Sequence, residues 1–245
     1  MAARMTARSV VLSVLLGAHP AWATAAQLLR LTADFGIKEN ALRVALTRMV
    51  GVGDLVRSND GYRLSDRLLA RQRRQDAALH PPIREWDGTW ITIVVTAVGT
   101  DARTRAAMRL ALQHSRCAEI REGVWLRPDN LAAKLPDAVR GRVRVLRARD
   151  DEPAELAATL WDLPDWSKTG CRLLRDMHRA TGIPERFGVA AAMVRHLLTD
   201  PVLPAELLPA DWPADRLRAA YADFAALLVQ RRDAAKSEAR LLEVR

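Results

Sequence analysis

Cysteine is scarce in this chain of 245 residues, which contains only Cys117 and Cys171, far apart and outside any C-x-x-C pair. A disulfide framework or a zinc site built on cysteine needs more thiols at closer spacing, so neither is predicted. Two isolated cysteines are typical of proteins from a reducing compartment, and we therefore expect a cytoplasmic protein.

Catalytic and metal-binding motifs are also missing. The five histidines show neither H-x-x-x-H nor H-E-x-x-H spacing, and the chain contains no G-x-S-x-G and no Walker loop. The lone pair Gly51-x-Gly53 is more typical of a helix end than of a phosphate-binding loop. The sequence therefore predicts no bound metal, no cofactor and no enzymatic activity.

No apolar run approaches the roughly 18 residues that a membrane-spanning helix needs, so no membrane segment is predicted. The N-terminus nevertheless imitates a signal peptide, because Arg4 and Arg8, an apolar stretch over 9–16 and Ala21-Trp22-Ala23 occur in that order. The same apolar residues also share one face of a helix. We expect that helix, because cleavage after Ala23 would remove the surface against which the next two helices pack.

Positive charge is plentiful but unevenly placed. Residues 1–85 carry 13 Lys and Arg against 7 Asp and Glu, residues 88–149 carry 12 against 5, and residues 150–245 carry 13 against 16. A basic front two-thirds followed by an acidic last third fits a polyanionic partner for the front of the chain only.

Residues 23–64 predict a helix, a tight turn, a second helix and a small hairpin. Thr24 and Gln27 form a capping box at the start of the first helix, and Gly36 lies where a helix end favours positive φ. The second helix, over about 38–49, carries aliphatic residues on one face and polar and basic residues on the other. An apolar face backed by amide, hydroxyl and guanidinium groups suits a recognition helix in a DNA major groove.

The hairpin consists of short strands over 55–57 and 62–64 around the turn Ser58-Asn59-Asp60-Gly61. Together these parts predict a winged helix-turn-helix; an ordinary helical hairpin with solvated polar residues is the alternative. We expect base reading by three residues of the second helix, and phosphate contacts by its flanking cations and the hairpin arginines. The predicted DNA-binding residues are Lys38, Asn40, Arg43, Thr47, Arg48, Arg57 and Arg63, with Asn40, Arg43 and Thr47 as the base readers.

Two boundaries divide the chain into three predicted domains. Ser65 can cap a helix that runs to about Leu79, and Pro81-Pro82 then ends a winged-helix domain over 1–82. A second domain over 83–149 precedes a helical domain over 150–245, which includes a proline-punctuated connector at 200–209. The expected fold class is multidomain α+β: a winged helix-turn-helix, a ferredoxin-like middle domain and an all-α C-terminal domain.

The middle domain is predicted from its order of elements, β-α-β-β-α-β, which is the ferredoxin-like order. Its predicted elements are a strand at 90–98, a helix at 101–114, strands at 117–120 and 124–126, a short helix near Asn130–Leu135 and a strand at 143–146.

Three motifs carry a resemblance to a known family. They are Trp86-Asp87-Gly88-x-Trp90, Glu122-Gly123-Val124-Trp125-Leu126-x-Pro128, and a proline-rich stretch that includes Asp200-Pro201-x-Leu203-Pro204 and ends at Trp212-Pro213. In this order, across nearly the whole chain, they resemble the PaaX-type transcriptional regulators, named for the phenylacetate-degradation repressor. The resemblance implies a three-domain homodimer that binds a double-stranded DNA operator and represses a catabolic operon until an aryl-acyl-coenzyme A thioester relieves it.

Two departures limit what the resemblance implies. The wing is short, with Arg57 and Arg63 as its only cations, so we expect weaker contact with DNA than in relatives. The middle domain resembles the ferredoxin-like endonucleases of CRISPR systems, which need an acidic metal ligand at the end of the first strand. Thr96 takes that place here, and Asp101 follows several residues later, so we expect a structural, dimerising domain. A metal-dependent nuclease and a protein-binding adaptor are the alternative functions.

The resemblance also implies a site for a small-molecule effector. We place it in the C-terminal part, where tryptophans would meet an aryl group and arginines the phosphates of an acyl-coenzyme A. Ordinary helix packing with a solvated arginine face is the alternative. The candidate effector residues are Trp161, Trp166, Arg172, Arg175, Arg179 and Arg195.

Overall fold

The computed structural model describes residues 5–58, 60–97, 99 and 101–242, with side chains described through residue 232. Arg4, Asn59 and Val98, which belong to the predicted N-terminal segment, hairpin turn and first middle-domain strand, lie outside the described residues. The helices and strands are α1 (Ala7–Leu16), β1 (Trp22–Thr24), α2 (Ala25–Ala33), α3 (Glu39–Gly51), β2 (Leu55–Ser58), β3 (Gly61–Leu64), α4 (Asp66–Leu79), β4 (Trp90–Val95), α5 (Ala102–His114), β5 (Ala118–Arg121), β6 (Val124–Pro128), β7 (Val143–Ala148), α6 (Pro153–Leu160), α7 (Leu163–Arg179), α8 (Ile183–Leu197) and α9 (Ala214–Leu242).

The chain divides into two compact units. The first unit comprises Met1–Leu79, Leu173–Arg195 and Arg216–Arg245, and the second comprises His80–Arg172 and His196–Asp215. The three domains predicted at 1–82, 83–149 and 150–245 stay a prediction. In the described part of the chain, no helix is both long and apolar enough to cross a membrane.

The N-terminal helix predicted in place of a signal-like segment is present as α1, which begins with Thr6 as its cap. The side chains of Val11, Leu12, Leu15 and Leu16 are buried, and they pack in one core with Leu42 and other residues of α3. The apolar run over 9–16 therefore contributes to the hydrophobic core of the winged-helix fold.

The capping box is confirmed: the Thr24 hydroxyl accepts from the Gln27 backbone N–H, and the Gln27 side chain accepts from the Thr24 N–H. The hairpin strands also form as predicted. A third strand, β1, was not predicted; it pairs with β3 and gives the sheet order β1-β3-β2. Trp22 ties this strand to the wing, because its indole N–H donates to the Ser58 hydroxyl at 2.8 Å.

Helix α4 begins at Asp66 as expected, but the prediction that the Ser65 side chain caps it is wrong. The buried Ser65 hydroxyl has no hydrogen-bond partner among the described residues, and the Ser65 backbone carbonyl accepts from Leu68 and Leu69 instead. Further along α4, the buried Gln72 amide donates to the carbonyls of Leu15, Leu16 and Ala18. Backbone carbonyls at a helix end have few intrahelical donors, so Gln72 helps to satisfy the C-terminal end of α1.

The C-terminal helices of the first unit pack on the winged-helix part. Phe187 of α8 lies edge-on to Phe35, with ring centroids 5.0 Å apart, and also contacts Phe224 of α9. Arg218 of α9 donates to the Ala78 carbonyl at the end of α4. Helices far apart in sequence therefore pack against the winged-helix part.

The second unit contains a four-stranded antiparallel sheet in the order β5-β6-β4-β7. This is the strand order of a ferredoxin-like fold, and α5 packs across one face through Met108 and Leu112 against Ile91 and Ile93. The predicted strands and the first helix are confirmed, with β4 ending at Val95.

The second predicted helix of this domain, near Asn130–Leu135, is wrong. Its backbone pairs with the segment after Pro81: Arg84 donates to the Asn130 carbonyl, Leu131 bridges Ile83, and Ala132 donates to the Pro82 carbonyl. Tertiary pairing has overridden local helix propensity. The element that replaces the helix is a single 3-10 turn at Asp137–Val139.

The C-terminal part is helical, as predicted, and α6 begins with Pro153 in its first turn. The connector at 200–209 is irregular except for one 3-10 turn at Ala205–Leu207. Leu203 and Leu207 pack with α6 residues against Trp90 on the sheet face opposite α5.

Candidate DNA-binding surface

Helices α2 and α3 form the helix-turn-helix. The turn is made at Gly36, whose φ of 66° belongs to the left-handed region that glycine adopts without strain. Leu42, Leu46 and Met49 hold α3 against the core and are almost fully buried. This burial fixes which face of α3 points outward.

The outward face of α3 carries every residue predicted for it. Asn40, Arg43, Thr47 and Arg48 are all exposed. Val44 lies in the middle of that face and is 51% exposed. We did not include it among the predicted site residues, although an exposed aliphatic side chain there is suited to a thymine methyl group.

Two of these side chains are engaged within the helix. Arg43 forms an ion pair with Glu39 one turn earlier, at 2.5 Å, and the Thr47 hydroxyl donates to the Arg43 carbonyl. Exposed pairs at this spacing are worth only about 0.3–0.5 kcal/mol, so Arg43 can leave Glu39 for a stronger partner. In the absence of DNA, the Arg43 guanidinium is paired with Glu39 on the exposed side of α3.

The cations that flank this face differ in their surroundings. Lys38, Arg48 and Arg57 are exposed and have no ion-pair partner among the residues that the structure describes. Arg63, on β3, donates to the Leu64 carbonyl at 3.4 Å and lies 3.8 Å from Asp66. The four predicted phosphate-binding cations therefore belong to the same winged-helix part, where they add positive charge near α3.

Asp54 supports this surface and was not predicted. Its carboxylate is buried between two arginines: Arg8 of α1 donates to it at 2.7 Å and Arg67 of α4 at 2.6 Å. Its backbone carbonyl also accepts from Ser65. Asp54 follows α3 directly, so this cluster joins α1, the end of the recognition helix and α4. A lone Asp between Gly53 and Leu55 gives no sequence signal for that role.

The predicted effector residues are divided between the two units. Trp161, Trp166 and Arg172 belong to the second unit, and Arg175, Arg179 and Arg195 to the first. Trp161 stacks on Trp90, and Trp166 stacks between His196 and Trp212 at centroid distances of 4.1 and 4.3 Å. These rings fill the core of their unit. The effector assignment stays a prediction.

The motifs that carried the family resemblance form turns and hydrogen bonds that stabilise the second unit. The Trp86 indole donates to the Thr89 carbonyl, and Gly88 makes the turn with a φ of 87°. Hydrogen bonds from the Thr89 side chain and then from its backbone N–H lower the pKa of the Asp87 carboxyl. In the proline-rich stretch, the Val202 carbonyl accepts from the buried Asn130 amide at 2.8 Å.

The position considered for a nuclease metal carries no assembled ligand set. Thr96 follows β4 and donates its backbone N–H to the Arg142 carbonyl. Asp101 caps α5, and its hydrogen bonds from Thr104 lower its pKa. Across the described residues, no group of three or more His, Cys, Asp or Glu could hold a metal ion.

Similarity to known proteins extends over most of the chain. Residues 6–68 match the PaaX-like protein family, residues 83–155 match its central Cas2-like domain, and residues 175–237 match its C-terminal domain. A solved structure, the uncharacterized protein Rv0674 from Mycobacterium tuberculosis, is similar with 69% sequence identity and a TM-score of 0.84, over 94% of this chain and 99% of that chain. No curated protein matches. With an N-terminal winged helix, a Cas2-like centre and a helical C-terminal part all matched in order, the chain belongs to the PaaX-like family, a family of transcriptional regulators.

Proposed function

We propose that the protein is a sequence-specific DNA-binding repressor that acts in the cytoplasm as a homodimer and is relieved by a small-molecule effector such as an aryl-acyl-coenzyme A. The observation that carries this proposal is the exposed face of α3, where amide, guanidinium, hydroxyl and aliphatic groups stand beside unpaired cations. This combination offers both base-edge and phosphate contacts. Membership of a regulator family supports the same function.

The binding test uses a duplex from the gene's own upstream region. Lys38, Arg48, Arg57 and Arg63 would place about four phosphate contacts on each subunit, so a dimer should show a slope of log affinity against log salt near −7. Fluorescence anisotropy at several salt concentrations measures the slope, with a scrambled duplex as the control. A similar affinity for both duplexes, or a salt-independent affinity, would contradict the repressor and favour the adaptor. Cleavage of either duplex with added Mg²⁺ would favour the nuclease.

The middle domain is our candidate for the dimer contact. Among the described residues, nine large hydrophobic side chains are exposed, and five of them lie within 83–149, which points to a partner surface there. Val145 and Leu146 belong to β7, which is bonded to β4 on one side only and is an edge of the sheet. Exposed apolar edge strands are normally covered, and a second copy of the chain would cover this one.

We expect Leu146→Glu to weaken the dimer by at least about tenfold, because an unpaired carboxylate would be buried in the interface. Sedimentation equilibrium measures the dissociation constant. Val44→Glu is the matched control, since Val44 is also about half exposed but lies on α3. Equal dimer affinity for wild type and Leu146→Glu would exclude this part of the β7 edge.

A further inference from the structure

A cavity lies within the first unit, between α1, α2 and α4 of the winged-helix part and the C-terminal helices α8 and α9. Its volume is about 110 Å³. A single water molecule needs only about 10–15 Å³ counted in the same way, so the cavity has room for a small organic molecule.

The walls are apolar apart from a few placed polar groups. Val14, Phe187, Val194, Phe224 and Leu228 are among the apolar lining residues. Three arginines also line the cavity, and none of the described lining residues is acidic. An apolar interior with positive charge only is the lining expected for an amphipathic anion.

Two of these arginines are available to a ligand. Arg71 of α4 and Arg195 of α8 are exposed and have no ion-pair partner in the part of the chain that the structure describes. An exposed guanidinium beside an apolar cavity is available to a carboxylate or another acidic group.

Tyr221 adds a neutral polar group inside the cavity. Its hydroxyl has no hydrogen-bond partner among the described residues, and burial, with the nearby Asp76, raises its pKa, so it remains a hydroxyl at neutral pH. Gly17 leaves space beside it, because a Cβ at position 17 would stand 3.1 Å from the Tyr221 oxygen.

We propose that this cavity is a binding site for a small anion with an apolar body, which inserts between α1 and α9 while its acidic group meets Arg71 and Arg195. Of the residues predicted for an effector, only Arg195 lines the cavity. The lining of this site comes entirely from the first unit and includes residues of α1 and α4.

Because α1 contacts both the cavity and the core that supports α3, a ligand in the cavity can affect DNA binding. This inference rests on the proposed function. One side of α1 lines the cavity through Ser13, Val14 and Gly17, and another packs Leu12 and Leu15 into the core that holds α3. A ligand that binds two packings of α1 unequally shifts the balance between them, and with it the support of the recognition helix. Ligand and operator must then change each other's affinity by the same factor.

The test uses two fluorescent probes with nearly the same apolar body, anilinonaphthalene sulfonate, which is an anion, and N-phenylnaphthylamine, which is neutral. Both are titrated into the full-length protein, and thermal melting checks that each variant is folded. Arg195→Gln should weaken the sulfonate about tenfold, as for the loss of one charged hydrogen bond, and leave the neutral probe unchanged. Arg179→Gln is the matched control, because Arg179 is equally exposed and does not line the cavity.

A second variant tests the cavity itself. Ala225 lines it, and Ala225→Leu should fill part of the space and weaken both probes. Sulfonate binding that survives Ala225→Leu in a folded protein, or that Arg179→Gln weakens as much as Arg195→Gln does, would overturn the site.

The regulatory step is read separately by operator binding with and without the sulfonate. We expect the probe to change operator affinity in wild type and not in Ala225→Leu. An effect retained in Ala225→Leu would mean competition at the DNA surface and overturn the coupling. A wild-type protein that binds the probe but no duplex would contradict the proposed function and leave the site standing.

Discussion

Replacing Arg43 with alanine is expected to lower affinity for operator DNA by about 1–3 kcal/mol for each half-site, the range for one base-reading contact. Arg43 lies on the exposed face of α3, and the ion pair that holds it to Glu39 is too weak to keep it from DNA. Scrambled duplex should be affected less. Fluorescence anisotropy with both duplexes at one salt concentration measures the difference.

Arg48→Ala is the matched control for this prediction. Arg48 is exposed on the flank of the same helix, where a phosphate contact is expected. Its loss should weaken both duplexes alike and reduce the salt slope by about 1 for each subunit. If Arg43→Ala behaves in the same way as Arg48→Ala, Arg43 contacts only phosphate, and its assignment as a base reader is wrong.

Substitutions in the N-terminal helix α1 are expected to lower the folding stability of the winged-helix domain strongly. Leu15 is completely buried in the core that it shares with Leu42 and Met49 of the helix-turn-helix, so Leu15→Ala should destabilise the domain by about 2–5 kcal/mol. Deletion of residues 1–22 removes all of α1 and should abolish cooperative unfolding of this domain. Urea denaturation followed by circular dichroism measures both changes.

Val14→Ala is the control for Leu15→Ala, because Val14 is only half-buried and faces the cavity. It should cost clearly less than Leu15→Ala. A protein without residues 1–22 that unfolds at the same urea concentration and still binds operator would show that α1 is dispensable. The signal-peptide interpretation of this segment would then gain support.

Local signals predicted the helix-turn-helix well, because each depends on residues close in sequence. Thr24 and Gln27 satisfy each other across one turn, and Gly36 needs only its own φ. The alternation of buried Leu42 and Leu46 with exposed Arg43 and Thr47 follows from helix geometry alone. The α3 residues predicted to bind DNA therefore lie on the exposed face of that helix, while their contacts with DNA stay a prediction.

Long-range contacts explain what the sequence did not predict. Strand β1 is three residues long and exists because β3 pairs with it, and Ala21-Trp22-Ala23 contains no signal for that partner. The segment at 130–135 has the composition of a short helix, but its backbone bonds to residues 82–84. The cavity is also invisible in sequence, because its walls come from five helices, α1, α2, α4, α8 and α9, with lining residues between positions 13 and 232.

The most direct test of the account is site-specific crosslinking from α3 to DNA. A photoreactive benzoylphenylalanine at Val44, in the centre of the exposed face, should crosslink to bases inside the footprint on the upstream duplex. The same residue at Ile120, which is similarly exposed in the middle domain, is the control and should give no crosslink. Crosslinks from position 44 to bases within the footprint are the predicted result. Crosslinks from position 120 with none from position 44 would contradict the claim that α3 reads the operator.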